Sequence, residues 1–131
     1  MMKSKIITEE HHRCPTSLGG HKTNPANISH VSPRKHEAWH VLVGNMNPYQ
    51  ISARFNYLKP KEFSNYEVVC RPKKNVNATQ VIKKGTHNSH KKNKLLHALN
   101  TLFGDSNFYQ VIFYVNDVWL DPDYRLYLKK K

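Results

Sequence analysis

The chain has 131 residues, 38% of them apolar, enough for one ordinary domain or two very small ones around a modest core. Lys and Arg number 21 against 9 acidic residues, a formal net charge of +12; such an excess repels itself on a compact surface and points to a polyanion as partner, nucleic acid first and anionic membrane second. Cys14 and Cys70 are too far apart for a disulfide framework or a cysteine zinc site, and no apolar run nears the roughly 18 residues of a membrane span. The opening "MMKSKIITEE" has too few apolar residues for a signal peptide, so the expectation is a cytoplasmic protein with no membrane partner.

In chain order, "SKIITEE" predicts a short strand that runs directly into His11 and His12. "RCPTSLGGHKTNPAN", with two prolines and a Gly-Gly, predicts a loop, and "ISHV" a second strand. "SPRKHEAWHVLVG" predicts a helix with Ser32 as N-cap, Pro33 at the first helical position and Gly44 as its stop. "NPYQISARFNYL" predicts a second helix, capped by Asn47, with Ile51, Phe55 and Leu58 at helical spacing. "NYEVVC" predicts a strand. Residues 71–94 hold eight Lys or Arg and no acidic residue, which suggests a linker or basic surface loop.

The last third repeats the middle. A shift of 60 residues overlays Ala38 on Ala98, Leu42 on Leu102, Gly44 on Gly104, Asn47 on Asn107, Tyr49 on Tyr109, Gln50 on Gln110 and Asn56 on Asn116, seven identities over nineteen positions. Ile51, Phe55 and Leu58 fall on Val111, Val115 and Val118, and each copy ends in a strand-like run. This pattern predicts a duplicated helix-helix-strand module whose helices pack together and whose late strands pair. It also assigns "FYQVIFYV" to a helix, against its β-rich composition. The expected fold class is α+β, divided as 1–46, a ββα unit; 47–70, a helix-strand extension; 71–94, the basic segment; and 95–131, the degenerate repeat.

Six of the nine histidines lie in the first 40 residues. His36 and His40, four apart on a helix, project from one face and can share a metal ion, with His11 or His12 at the end of the first strand as a third ligand. Adjacent strand residues point to opposite faces, so the two rings of the His pair cannot do the same work.

The run E-x-H-H-x-x-P-x-S-x-G-G from Glu9 to Gly20, then Asn27-Ile28, then P-R-K-H-x-x-x-H ending at His40, resembles the HNH endonuclease motif, most closely the version in colicin-type DNases. The resemblance covers about the first third of the chain. It implies a ββα-metal (His-Me finger) unit holding one divalent ion, Mg²⁺, Zn²⁺ or Ni²⁺, on His11, His36 and His40. It further implies His12 as the general base that activates water, Asn27 as the residue that pins the loop and so orients that base, Glu9 as a supporting carboxylate, and Gly19 and Gly20 as the turn. Relatives often carry a cysteine zinc knuckle; here stability has to come from packing with the C-terminal part.

The chemistry is consistent with those roles. Phosphodiester hydrolysis needs an activated water on one side of phosphorus and charge neutralisation at the departing oxygen on the other. Three neutral imidazoles leave a bound ion its full charge, and an unligated imidazole can take the proton from water at neutral pH. Arg13, Arg34 and Lys35 are placed in sequence to meet phosphates, and Lys83 and Lys84 in the basic segment are further candidates. The expected partner is DNA, with RNA possible, and no small-molecule cofactor. In the second copy Leu96 and Asn100 replace His36 and His40, which confines the chemistry to the first copy. The competing reading is a non-catalytic nucleic-acid-binding protein on an HNH-like metal scaffold. His21, His30, His87, His90 and His97 read as surface or loop residues, Cys14 as a small space-filling hydrophobe, Trp39 as packing toward the second helix, and Tyr49 and Tyr109 as core or interface residues.

Overall fold

The computed structural model describes residues 7–73 and 91–131; Lys83, Lys84, His87, His90 and most of the basic segment lie outside them. Strands β1 (Glu9–His12) and β2 (Ile28–Val31) form an antiparallel pair in which His11 faces Ser29 and His12 faces Ile28. The strand starts later than "SKIITEE" suggests: Ile7 and Thr8 precede it, and residues 1–6 are outside the described part. Helix α1 (Pro33–Val43) follows as expected. Ser32 Oγ accepts from the Lys35 amide at 3.2 Å, Pro33 needs no amide partner, and Gly44 ends the helix at φ 54° with its N–H on the His40 carbonyl at 2.8 Å.

Helix α2 (Pro48–Leu58) opens on a reciprocal cap, Asn47 Oδ1 accepting from Gln50 N at 2.9 Å and Gln50 Oε1 from Asn47 N at 3.0 Å. It leads to β3 (Tyr66–Pro72). The second copy repeats these parts. Helix α3 (Lys92–Phe103) stops at Gly104 with φ 55°, and α4 (Phe108–Tyr114) starts on the same reciprocal cap, Asn107 with Gln110. Val115–Trp119 then widens into a π turn, closed by Leu120 N–H on the Val115 carbonyl at 2.8 Å, before β4 (Tyr124–Lys130). The segment "FYQVIFYV" is helical because tertiary packing, which buries Phe108, Val111, Ile112 and Val115, outweighs its β propensity.

One pair of bonds ties each helix to its own strand. Asn56 Nδ2 donates to the Val68 carbonyl at 2.8 Å while its Oδ1 accepts from Val68 N at 2.7 Å. Asn116 does the same to Leu126, at 2.9 and 2.8 Å. The partner lies 12 residues on in the first copy and 10 in the second, so Val68 corresponds to Leu126 and Val69 to Tyr127. β3 and β4 are antiparallel neighbours, and Val69 pairs with Tyr127. Equivalent residues therefore face each other at mid-ladder, which relates the two copies by an approximate two-fold axis through that pair.

The same axis packs α1 against α3, with Ala38 and Ala98 both buried, and produces two exchanged ring contacts. Tyr49 meets Tyr124 edge-on at 5.7 Å, and Tyr109 meets Tyr66 at 6.1 Å. Tyr49 and Tyr109 are thus cross-module contacts with one face in solvent, not core residues. A single apolar cluster runs from Val31 through Leu42, Phe55 and Val68 to Leu95, Val115 and Leu126. The small ββα unit is therefore covered by the duplicated part, and no cysteine knuckle is needed to hold it. No described helix is long and apolar enough to cross a membrane.

Candidate functional site

The hairpin β1–β2 and the first turns of α1 bring the N-terminal histidines together. His36 and His40, one helical turn apart, turn their Nε2 atoms toward each other at 3.0 Å. His11 enters from β1 with ring centroids 5.4 Å from His36 and 6.5 Å from His40. Glu9, on the same face of β1 as His11, places Oε2 3.5 Å from His36 Nδ1, a long contact on the far side of that ring from His40. A carboxylate can only accept, so this contact puts the proton of His36 on Nδ1 and leaves Nε2 for whatever lies between the two helix histidines.

His11 is the buried member of the group. Its Nε2–H donates to the Trp119 carbonyl at 2.9 Å, and its ring packs beside Trp119 and Trp39, at 5.1 and 6.2 Å. Burial, only partly offset by that carbonyl and reinforced by His36, His40 and Arg13, lowers its pKa from 6.5 to about 4. Burial and the neighbouring His36 lower His40 as well, with Glu9 opposing. His11 is consequently a neutral imidazole at physiological pH with its lone pair on Nδ1.

His12 points away from this cluster, as the alternation of a strand requires. Its Nε2–H donates to the Lys22 carbonyl at 3.0 Å, which leaves Nδ1 as the basic nitrogen. The loop that supplies that carbonyl is held by Asn27, which is buried. Asn27 Oδ1 accepts from Cys14 N at 2.7 Å, and its Nδ2 donates to the Cys14 carbonyl at 3.0 Å and the His21 carbonyl at 2.9 Å. None of these bonds is to His12. Asn27 fixes the residue next to Lys22 and acts on the ring through the backbone. His21 in turn caps the chain locally, its Nδ1 accepting from Asn24 N at 3.1 Å.

The two loop glycines have separate reasons. Gly19 takes φ 88°, which side chains disfavour, while at Gly20 an added Cβ would lie 1.8 Å from the Cys14 carbonyl oxygen. Cys14 is no nucleophile: burial and Asp121 raise its pKa to about 12.

Three side chains of the hairpin end on carbonyls of the second copy. Besides His11 on Trp119, Ser29 Oγ donates to the Val118 carbonyl at 2.7 Å, and Arg13 donates through Nε to the Leu120 carbonyl at 2.8 Å and through Nη2 to the Asn116 carbonyl at 2.6 Å. A π turn leaves carbonyls out of the ordinary helical ladder, and here those of the turn and its exit accept from the hairpin. Arg13 is therefore chiefly a strut to the C-terminal half, unlike the open phosphate contact its sequence position suggests. Arg34 and Lys35 are exposed at the first turn of α1. Trp39 stacks on Trp119 at 5.1 Å and 24°, so it faces the second copy rather than the second helix.

A divalent ion sets its own demands on such a donor set. Two nitrogens bound at ~2.0–2.1 Å to one tetrahedral ion stand about 3.3 Å apart, close to the 3.0 Å between His36 and His40 Nε2. The third imidazole is adjacent and neutral, and Trp119 and Glu9 hold the far nitrogens of two rings in the manner of metal-bound histidines. Among the described residues no three His, Cys, Asp or Glu side chains already form a closed ligand set. The residues fit an ion in kind and in the spacing of one pair, and His11 has to adjust to complete it.

No family model, curated protein or solved structure matches the chain.

Proposed function

We propose that the chain is a metal-dependent endonuclease of the HNH type that hydrolyses DNA phosphodiester bonds. The observation that carries this reading is the division between neighbours on β1, where His11 joins the facing His36–His40 pair and His12 is held apart with its Nε2 on the Lys22 carbonyl. In this reading His12 accepts the proton of the attacking water at Nδ1, and the Lys22 carbonyl holds the other nitrogen of the ring in place. Asn27 holds the loop so that the ring does not swing. Glu9 keeps the His36 proton on Nδ1. A divalent ion held by His11, His36 and His40 would supply positive charge against a phosphate oxygen and the departing 3′ oxygen. Arg34 and Lys35, at the amino end of α1, meet the flanking phosphates.

A second reading is a non-catalytic nucleic-acid-binding protein on the same scaffold. It is favoured by the same 3.0 Å spacing, since a hydrogen bond from His40 to His36 closes the pair without an ion. Supercoiled plasmid incubated with purified protein and Mg²⁺, Ni²⁺ or Zn²⁺, against an EDTA control, separates the two. Nicking that needs metal and is lost in His12→Ala supports the nuclease. Wild-type protein that nicks with none of the three ions, or a His12→Ala variant that cuts as well as wild type, refutes it.

A further inference from the structure

The β3–β4 ladder has one face on the core, through Val68, Cys70, Tyr124 and Leu126, and one face outward. On the outward face Glu67 lies opposite Lys129, Val69 opposite Tyr127 and Arg71 opposite Arg125, and the Lys73 amide donates to the Asp123 carbonyl at 2.7 Å. Two like-charged residues directly opposite each other on an antiparallel pair are destabilising unless something neutralises them. Among the described residues no ion pair is seen for either of them. Arg125 instead sits over the Tyr127 ring at 5.8 Å, a ring 44% exposed.

Arg125 and Lys73 also border a groove of about 190 Å³ shared with Arg13, Phe113, Asn116 and Asp117. Arg13 reaches this groove from the end of β1, and Lys73 and Arg125 border it from the sheet. Its only carboxylate, Asp117, acts on Arg13. Phe113, 57% exposed, is an aromatic wall with no role in the core. Cations set against each other without internal relief, interleaved with open aromatic faces, make a surface complementary to a phosphate backbone with its bases alongside.

We propose that Arg71, Lys73 and Arg125, with Tyr127 and Phe113, form a DNA-backbone binding strip on the outward face of the β3–β4 ladder and the groove beside it. This rests on the nuclease reading only for naming DNA as the polyanion. The strip acts by binding and takes no part in bond cleavage.

The test is fluorescence anisotropy of the full chain in EDTA, with a labelled 20-base-pair duplex and the matching single strand, titrated over salt. The Arg71→Gln/Arg125→Gln double variant is expected to bind about tenfold more weakly near 0.1 M salt. Its log–log salt slope should fall by about 2, one for each phosphate that is no longer neutralised. Arg71→Lys/Arg125→Lys should recover most of that slope. The melting temperature of the glutamine variant should be equal to or above wild type, because the opposed pair is relieved. A matched control that removes the same charge elsewhere, Lys92→Gln/Lys94→Gln on α3, should stay within about twofold of wild type. The proposal is overturned if wild type binds neither DNA, if the double variant keeps wild-type affinity and slope, or if the control loses as much. It is also overturned if the double variant loses binding to phosphatidylserine vesicles while DNA binding is unchanged. Nicking is scored separately: a chain that binds through the strip and never nicks keeps this proposal and loses the nuclease reading.

Discussion

Asn27 offers the sharpest perturbation of the candidate site, because it can be altered without touching His12. Its side chain makes three bonds inside the loop, two to Cys14 and one to the His21 carbonyl. Asn27→Ala removes all three. Cys14 is partly buried and loses partners on both its N–H and C=O, whereas the exposed His21 carbonyl can turn to water. At about 1–3 kcal/mol for each group left unsatisfied in the interior, the expected loss is about 2–4 kcal/mol, read by urea denaturation. Asn27→Asp is the more discriminating change. It keeps the acceptor for Cys14 N but sets an anionic oxygen about 3 Å from two carbonyl oxygens, so at neutral pH it should be at least as damaging as alanine. Both variants should lower the rate of plasmid nicking by tenfold or more, because the Lys22 carbonyl is no longer held against His12 Nε2. Their affinity for DNA in EDTA should stay near wild type. An Asn27→Asp variant as stable and as active as wild type would refute the reasoning, since the two Nδ2 donations would then be dispensable.

Three further outcomes follow from the same geometry. Gly20→Ala should unseat the Cys14–Gly20 turn and reduce nicking as strongly as Asn27→Ala, because a Cβ 1.8 Å from the Cys14 carbonyl oxygen leaves no room for a backbone shift of a few tenths of an ångström; a Gly20→Ala variant with unchanged thermal unfolding and nicking would contradict this. Asn116→Ala should cost about 2–4 kcal/mol in urea denaturation, because Leu126 is 1% exposed and its amide and carbonyl lose both partners, and Asn56→Ala should act in the same direction at Val68; no loss in either would show that the strands do not depend on these bonds. In EDTA the stability contributed by neutral His11 should be fully present above pH ~6.5 and lost as pH falls toward about 4, its pKa being lowered in the folded chain. The loss should reach roughly 3 kcal/mol, and His11→Phe should flatten that part of the profile; a wild-type profile flat between pH 7 and 4.5 would rule this out.

The ββα unit was legible in sequence because its ends carry strong local signals. Ser32-Pro33 and Gly44 bound α1 by side-chain capping and a positive φ, effects that act within a few residues. The duplication was legible for the same reason, since three of the seven identical pairs, Gly44 and Gly104, Asn47 and Asn107, Gln50 and Gln110, stop α1 and α3 or cap α2 and α4. Asn56 and Asn116 needed the structure to explain them, as their partners are backbone groups 12 and 10 residues away, and so did Tyr49 and Tyr109, whose ring contacts cross between the copies. What escaped the sequence reading is the attachment of the hairpin to the second copy. Its acceptors are the carbonyls of Asn116, Val118, Trp119 and Leu120, and a carbonyl carries no residue signature. Arg13 read as a surface cation because nothing local shows that the π turn will reach it. Trp39 and Trp119 were both visible as large apolar residues, yet their stack depends on the two-fold packing of α1 on α3.

That attachment gives the duplication its physical sense. An isolated ββα unit of about forty residues buries too little apolar surface to hold three imidazoles in register. In this chain α1 is covered by α3, its structural counterpart, and Trp39 by Trp119. The second copy has Leu96 and Asn100 where the first has His36 and His40, so it places no ligands of its own at that level. Its helix α4 instead widens after Tyr114, at Val115–Trp119, where α2 continues regularly to Leu58. The widening turns carbonyls toward the hairpin, and one of them, at Trp119, fixes the tautomer of His11. The N-terminal half thus carries the candidate histidines, and the second copy supplies the carbonyl that orients His11. The irregular turn sits in the copy without the candidate ligands, where an ordinary helical ladder would leave those carbonyls to its own amides and His11, Arg13 and Ser29 without acceptors.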